Sequence, residues 1–91
     1  MRIKHFAGYG SVEAKKIDKY TDADGYTILR VIVKGEHERG LCPYMEEDAV
    51  RWLVPRFDKS AKNLRPWDAE VYTIWHGMPK DTLGYLFKYK V

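Results

Sequence analysis

The spacing of apolar positions changes along this chain, and each change marks an element. From Tyr26 to Lys34 the period is two: Leu29, Val31 and Val33 fall on one side, Arg30 and Lys34 on the other. That run is rich in β-branched residues, so it predicts a strand. Around Val50 the period lengthens. Val50, Leu53, Val54 and Phe57 stand at i, i+3, i+4 and i+7, with Met45 and Ala49 beside them, the spacing of a buried helical stripe. From Thr82 the period is two again, with Leu83, Tyr85, Phe87, Tyr89 and Val91 on one face and Lys88 and Lys90 on the other.

The stretches between are read from their breakers. Ile3 to Tyr9, loosened by Gly8 and Gly10, predicts a short edge strand or an extended arm. Ser11 to Tyr20 predicts a polar strand whose alternation breaks at Lys15–Lys16, where a bulge would carry Ile17 onto the core face. Thr21 to Gly25 is a turn, closed by the positive φ that Gly25 supplies. The helix is expected from Pro43 to about Val54. Pro43 suits a first turn, and Glu46, Glu47 and Asp48 suit the positive end of the helix dipole. Pro55 removes one backbone bond and predicts a kink, since Phe57 keeps the helical phase beyond it. Lys59 to Asp68 reads as a polar loop. Ala69 to His76 is a strand with apolar residues on both faces, which suits a central place in a sheet or one covered on both sides. Gly77 to Asp81 is a turn.

The order is β-β-β-α-β-β. It predicts an α+β fold with a single antiparallel sheet of four to five strands packed by one helix, and residues 1–91 as one domain. Composition agrees with a packed core, with 45% hydrophobic residues, three Trp, seven Tyr and three Phe. No run is long enough to cross a bilayer and no leader is evident, so no membrane association is expected. One cysteine cannot form an internal disulfide, which fits a reducing cytoplasm. A formal charge of +3 permits anionic partners without demanding them.

Candidate chemistry is sparse. The tract Gly35-Glu36-His37-Glu38-Arg39-Gly40 places a histidine, two acids and an arginine together, but strand alternation sends His37 away from Glu36 and Glu38. It reads first as a strand end entering a helix. His5, His37, Cys42 and His76 are the metal-ligating candidates, and no two stand at a zinc-signature spacing. Ser11 and Ser60 lack a nucleophile-elbow setting, and Cys42 reads as a small buried hydrophobe. No catalytic residue, metal or cofactor is therefore assigned. An enzyme would have to assemble its site across an oligomer interface.

Binding has better support. Arg51, Arg56, Lys59, Lys62 and Arg65 face a single acid, Asp58, and are interleaved with Trp52 and Trp67, which pairs cations for phosphate with rings for bases. The Tyr85/Phe87/Tyr89 stripe reads either as a stacking platform or as the face that receives the helix. For a protein partner, which includes a second copy of the chain, the expected anchors are Trp67, Arg65, Arg56 and Met78, with Arg39 and His37 as a second patch.

Three stretches, IKHFAGYG, GEHERGL and WLVPRFDKS, cover about a quarter of the chain. They resemble short proteins of bacterial phages and mobile elements that carry no motif of assigned chemistry. The resemblance implies an accessory protein in a bacterial cytoplasm, one that binds and blocks a host protein or protein–nucleic acid complex as anti-CRISPR proteins do. It carries over no individual residue, and the charge of +3 departs from the acidic type that mimics nucleic acid. A non-enzymatic binding module is thus the leading expectation, with direct nucleic-acid binding through residues 51–67 as the alternative.

Overall fold

A computed structural model describes residues 2–5, 10–34, 46–76 and 82–91. Along the chain lie β1 (Arg2–His5), β2 (Gly10–Thr21), β3 (Thr27–Lys34), α1 (Glu46–Phe57), two short 3-10 turns at Lys59–Ala61 and Pro66–Asp68, β4 (Ala69–His76) and β5 (Thr82–Tyr89). The strands form one antiparallel sheet in the order β1-β2-β3-β5-β4. Four long strands make its body, and the four-residue β1 lies along β2. The fold is α+β, an antiparallel sheet with one helix among the described residues. No helix among the described residues is long and apolar enough to cross a membrane.

β2 and β3 form a hairpin closed by Asp22. Its Oδ1 accepts hydrogen bonds from the backbone N–H of Asp24 at 3.0 Å and of Tyr26 at 2.9 Å. Gly25 takes φ +86°, the left-handed value expected of it, which other residues reach only with strain. Inside β2 a bulge is present, one residue later than expected. Lys16 pairs with Val31 and Asp18 with Arg30, so Ile17 is the extra residue and stays 46% exposed instead of joining the core. Because side chains alternate, one inserted residue exchanges the faces of everything beyond it. Asp18 and Tyr20 move to the face opposite Ala14, and Lys19 moves to the helix side.

The sequence places Ala69–His76 centrally, but β4 pairs only with β5 and lies at an edge. Its apolar residues on both faces do not mean burial on both. Val71 packs against the core, whereas Tyr72 is 51% exposed. β5 takes the interior place, between β3 and β4.

One face of the sheet receives α1. Leu29, Val31, Val33, Tyr85, Phe87 and Tyr89 meet Ala49, Val50, Leu53 and Val54, with Phe57 partly buried against them. The helical stripe is therefore where its period put it. α1 continues through Pro55 to Phe57. The proline sits in the last turn, where one lost N–H costs least cooperativity, and the Asp58 N–H still reaches the Val54 carbonyl at 2.9 Å. The expected polar loop at 59–68 is largely folded into the two short turns, and Ala61 is buried. Val91 leaves the β5 stripe and is exposed.

Candidate functional site

The second short turn presents the most exposed large ring among the described residues. Pro66 opens the turn with its φ already set, and the Asp68 N–H donates to the Arg65 carbonyl at 2.9 Å. Arg65 Nε donates to Asp68 Oδ2 at 2.9 Å, and its guanidinium lies 5.5 Å from the centre of the Trp67 ring. Trp67 is 71% exposed, yet it is held by a turn, an ion pair and a cation–π contact. A ring so fixed loses little conformational entropy when a partner covers it.

The basic segment leads into this turn. Arg51, Arg56, Lys59, Lys62 and Arg65 are all exposed. Arg56 Nε donates to the Trp52 carbonyl at 3.0 Å, and its guanidinium stacks 5.9 Å from the ring centre of the partly buried Trp52. The one acid within the segment, Asp58, is turned inward and only 4% exposed. It caps the first short turn, accepting from Ser60 N–H at 3.1 Å and Ser60 O–H at 2.6 Å, while Tyr89 O–H donates to its other oxygen at 2.5 Å. Lys19 Nζ stands 3.6 Å away. Burial alone would raise the pKa of Asp58. The Ser60 and Tyr89 hydrogen bonds, with the Lys19 charge, outweigh burial and hold it below the usual carboxylate value. Burial first, and then the bond to Asp58, hold the Tyr89 hydroxyl well above the ordinary tyrosine range. The exposed charges from Arg51 to Arg65 are therefore all cations. Arg65 also meets Lys90, from the end of β5, across an open hollow of about 310 Å³ that Ser60, Asn63 and Leu64 help to line.

The sheet face turned away from α1 forms another surface. Register places Tyr20, Ile28, Lys88 and Glu70 in one row across four strands, and Asp18, Arg30, Leu86 and Tyr72 in the next. No element among the described residues packs over these rows, and Tyr20 and Tyr72 are half exposed. Lys88 and Lys90 place their ammonium groups 4.8 and 4.7 Å from the centre of the Tyr26 ring. Arg30 makes a two-pronged ion pair with Asp18, Nε to Oδ1 at 2.8 Å and Nη2 to Oδ2. The hydrogen bond from Arg30, ahead of its charge, holds the Asp18 carboxyl below its usual pKa.

Of the residues the sequence nominates, the structure brings Arg65 and Trp67 into contact and leaves Arg56, Lys59 and Lys62 on the surface. His37, Arg39, Cys42 and Met78 lie outside the described residues. His5 and His76 belong to β1 and β4, the two opposite edges of the sheet. Among the described residues no group of three or more His, Cys, Asp or Glu is placed to hold a metal ion. Tyr85, Phe87 and Tyr89 are 0–1% exposed, so they receive the helix and are no stacking platform. Sequence reasoning missed Tyr20, Tyr26 and Tyr72. Only the Lys88/Lys90 alternation pointed to a second face, and the bulge at Ile17 hid Tyr20's place on it. No family model, curated protein or solved structure matches the chain.

Proposed function

We propose that this protein is a non-enzymatic binding module, a phage or mobile-element accessory protein that docks on a host macromolecular complex and inhibits or modulates it. The observation that carries the reading is Trp67, exposed to 71% but fixed by Pro66, Arg65 and Asp68. A rigid tryptophan beside an arginine is the composition of an interface hot spot, and no packing need of the fold explains its position. Arg65, which lies against the ring, and Arg56 complete the proposed contact residues. The test compares the wild-type chain with Trp67→Ala as bait in a bacterial lysate treated with nuclease. A defined partner held by the wild type and lost by the variant, with the melting temperature unchanged, supports the module. A partner held equally by both removes Trp67 from the interface.

One observation favours a second reading, direct nucleic-acid binding by residues 51–65. With Asp58 turned inward, the exposed charges of that segment are all cations. This reading expects affinity that falls steeply with salt and disappears when Lys59 and Lys62 are both changed to Glu.

A further inference from the structure

We propose that the sheet face opposite the helix is a platform for single-stranded nucleic acid, with Tyr20 and Tyr72 stacking bases and Lys88, in the Tyr20 row, and Lys90, beyond it, holding the phosphates. The site is distinct from the 51–65 segment, and it stands whether or not Trp67 binds a protein.

Geometry supplies the first argument. Tyr20 and Tyr72 lie three strand spacings and one side-chain row apart, about 16 Å, a separation suited to two or three unstacked bases laid across a sheet. Between them, in adjacent rows, lie Ile28, which is buried, and Leu86, which is half-buried. Both rings are half exposed, and neither is needed to cover the core on the other face. The Tyr72 hydroxyl donates to Glu70 at 3.2 Å, which steadies the ring at the β4 edge.

Charge supplies the second argument. Lys88 and Lys90 bring two ammonium groups to one ring, that of Tyr26. The ring's electron-rich face offsets part of their repulsion, and a phosphodiester would offset the rest. Lys88 stands in the same row as Tyr20. Of the acids of the two rows, Asp18 is neutralised by Arg30, and Glu70 stands beside Lys88 and accepts from Tyr72. Lys90 also lines the hollow with Arg65, whose ion-pair partner Asp68 lines it too. Rings with π-faces free for any base, beside cations that track the backbone, are what sequence-tolerant single-strand binding requires. Duplex DNA keeps its bases inside and would gain nothing from the tyrosines.

The test is fluorescence anisotropy at low and moderate salt with a labelled single-stranded oligonucleotide of ten thymidines, its duplex, and inorganic polyphosphate as competitor. Expected is binding of the single strand over the duplex, weakened about tenfold or more by Tyr20→Ala and by Tyr72→Ala and largely kept by Tyr72→Phe. Lys88→Glu with Lys90→Glu should abolish it, whereas Lys59→Glu with Lys62→Glu should leave most of it. Circular dichroism of each variant separates lost binding from lost folding. The proposal is overturned if the single strand fails to bind or if the duplex binds equally. It is also overturned if folded Tyr20→Ala and Tyr72→Ala bind like the wild type while polyphosphate displaces the strand, or if only the Lys59/Lys62 pair matters. None of these results touches the Trp67 reading, whose failure shows in the lysate experiment alone.

Discussion

The two faces of the sheet use the same residue type for opposite purposes. On the helix side, Tyr85 and Tyr89 are 1% and 0% exposed, and the Tyr89 hydroxyl is spent on the buried Asp58. On the other side, Tyr20 and Tyr72 are 52% and 51% exposed and stand among lysines and an arginine. Composition does not separate these pairs. What separates them is which face the single helix covers, and which strand positions a bulge delivers to each face. A tyrosine under the helix contributes packing and one hydrogen bond; on the other face, among the described residues, Tyr20 and Tyr72 keep half of their surface in solvent.

The comparison is most easily broken in the core. Phe87→Ala removes a fully buried ring beneath the helix, stacked 5.9 Å from Tyr85, and should cost about 3–5 kcal/mol in urea unfolding. In a domain of this size such a loss leaves little folded protein. If Phe87→Ala costs under about 1 kcal/mol, the helix does not cover this face as described.

Next is the latch that joins the helix side to the turns. Asp58→Asn keeps the volume but weakens the Tyr89 bond and the cap, and should cost about 2 kcal/mol. It should also change the pH dependence. The folded state holds the Asp58 pKa below its unfolded value near 3.8, so its contribution is full above that value and is lost as pH falls through the folded one. The acid limb of a stability–pH curve should therefore flatten in the variant. Tyr89 is the opposite case. Its folded pKa is raised above 10.0, so its contribution is full below pH 10 and is lost as pH rises through the folded value. Tyr89→Phe should remove that alkaline dependence.

The smallest stability effects belong to the bare face. Tyr20→Ala and Tyr72→Ala should each change unfolding free energy by no more than about 0.5 kcal/mol, the usual range for surface positions. A loss several times larger would show that these rings pack as those on the helix side do, and would end the distinction between the faces.

Much of the architecture is legible along the chain because local rules set it. The stripe Val50, Leu53, Val54 and Phe57, the strand from Tyr26 to Lys34 and the positive φ of Gly25 follow from helical period, β-branching and turn chemistry, all of which act within a few residues. The exposed cations of the 51–65 segment and the contact between Arg65 and Trp67 lie within the same reach. The place of β4 does not. Pairing across a sheet depends on which strands meet after collapse, so apolar residues on both faces of Ala69–His76 read as a central strand although it is an edge.

The sequence by itself determined the α+β class, the helix stripe and the cationic surface, because period and charge are properties of neighbours in the chain. Tertiary structure alone decided the rest. The bulge at Ile17 turned Tyr20 outward, the β3–β5 pairing set Lys88 beside Ile28, and burial against Tyr89 withdrew Asp58 from the basic surface. Each of these depends on contacts between residues far apart in the chain, where one inserted residue or one covered face reverses what alternation alone would say.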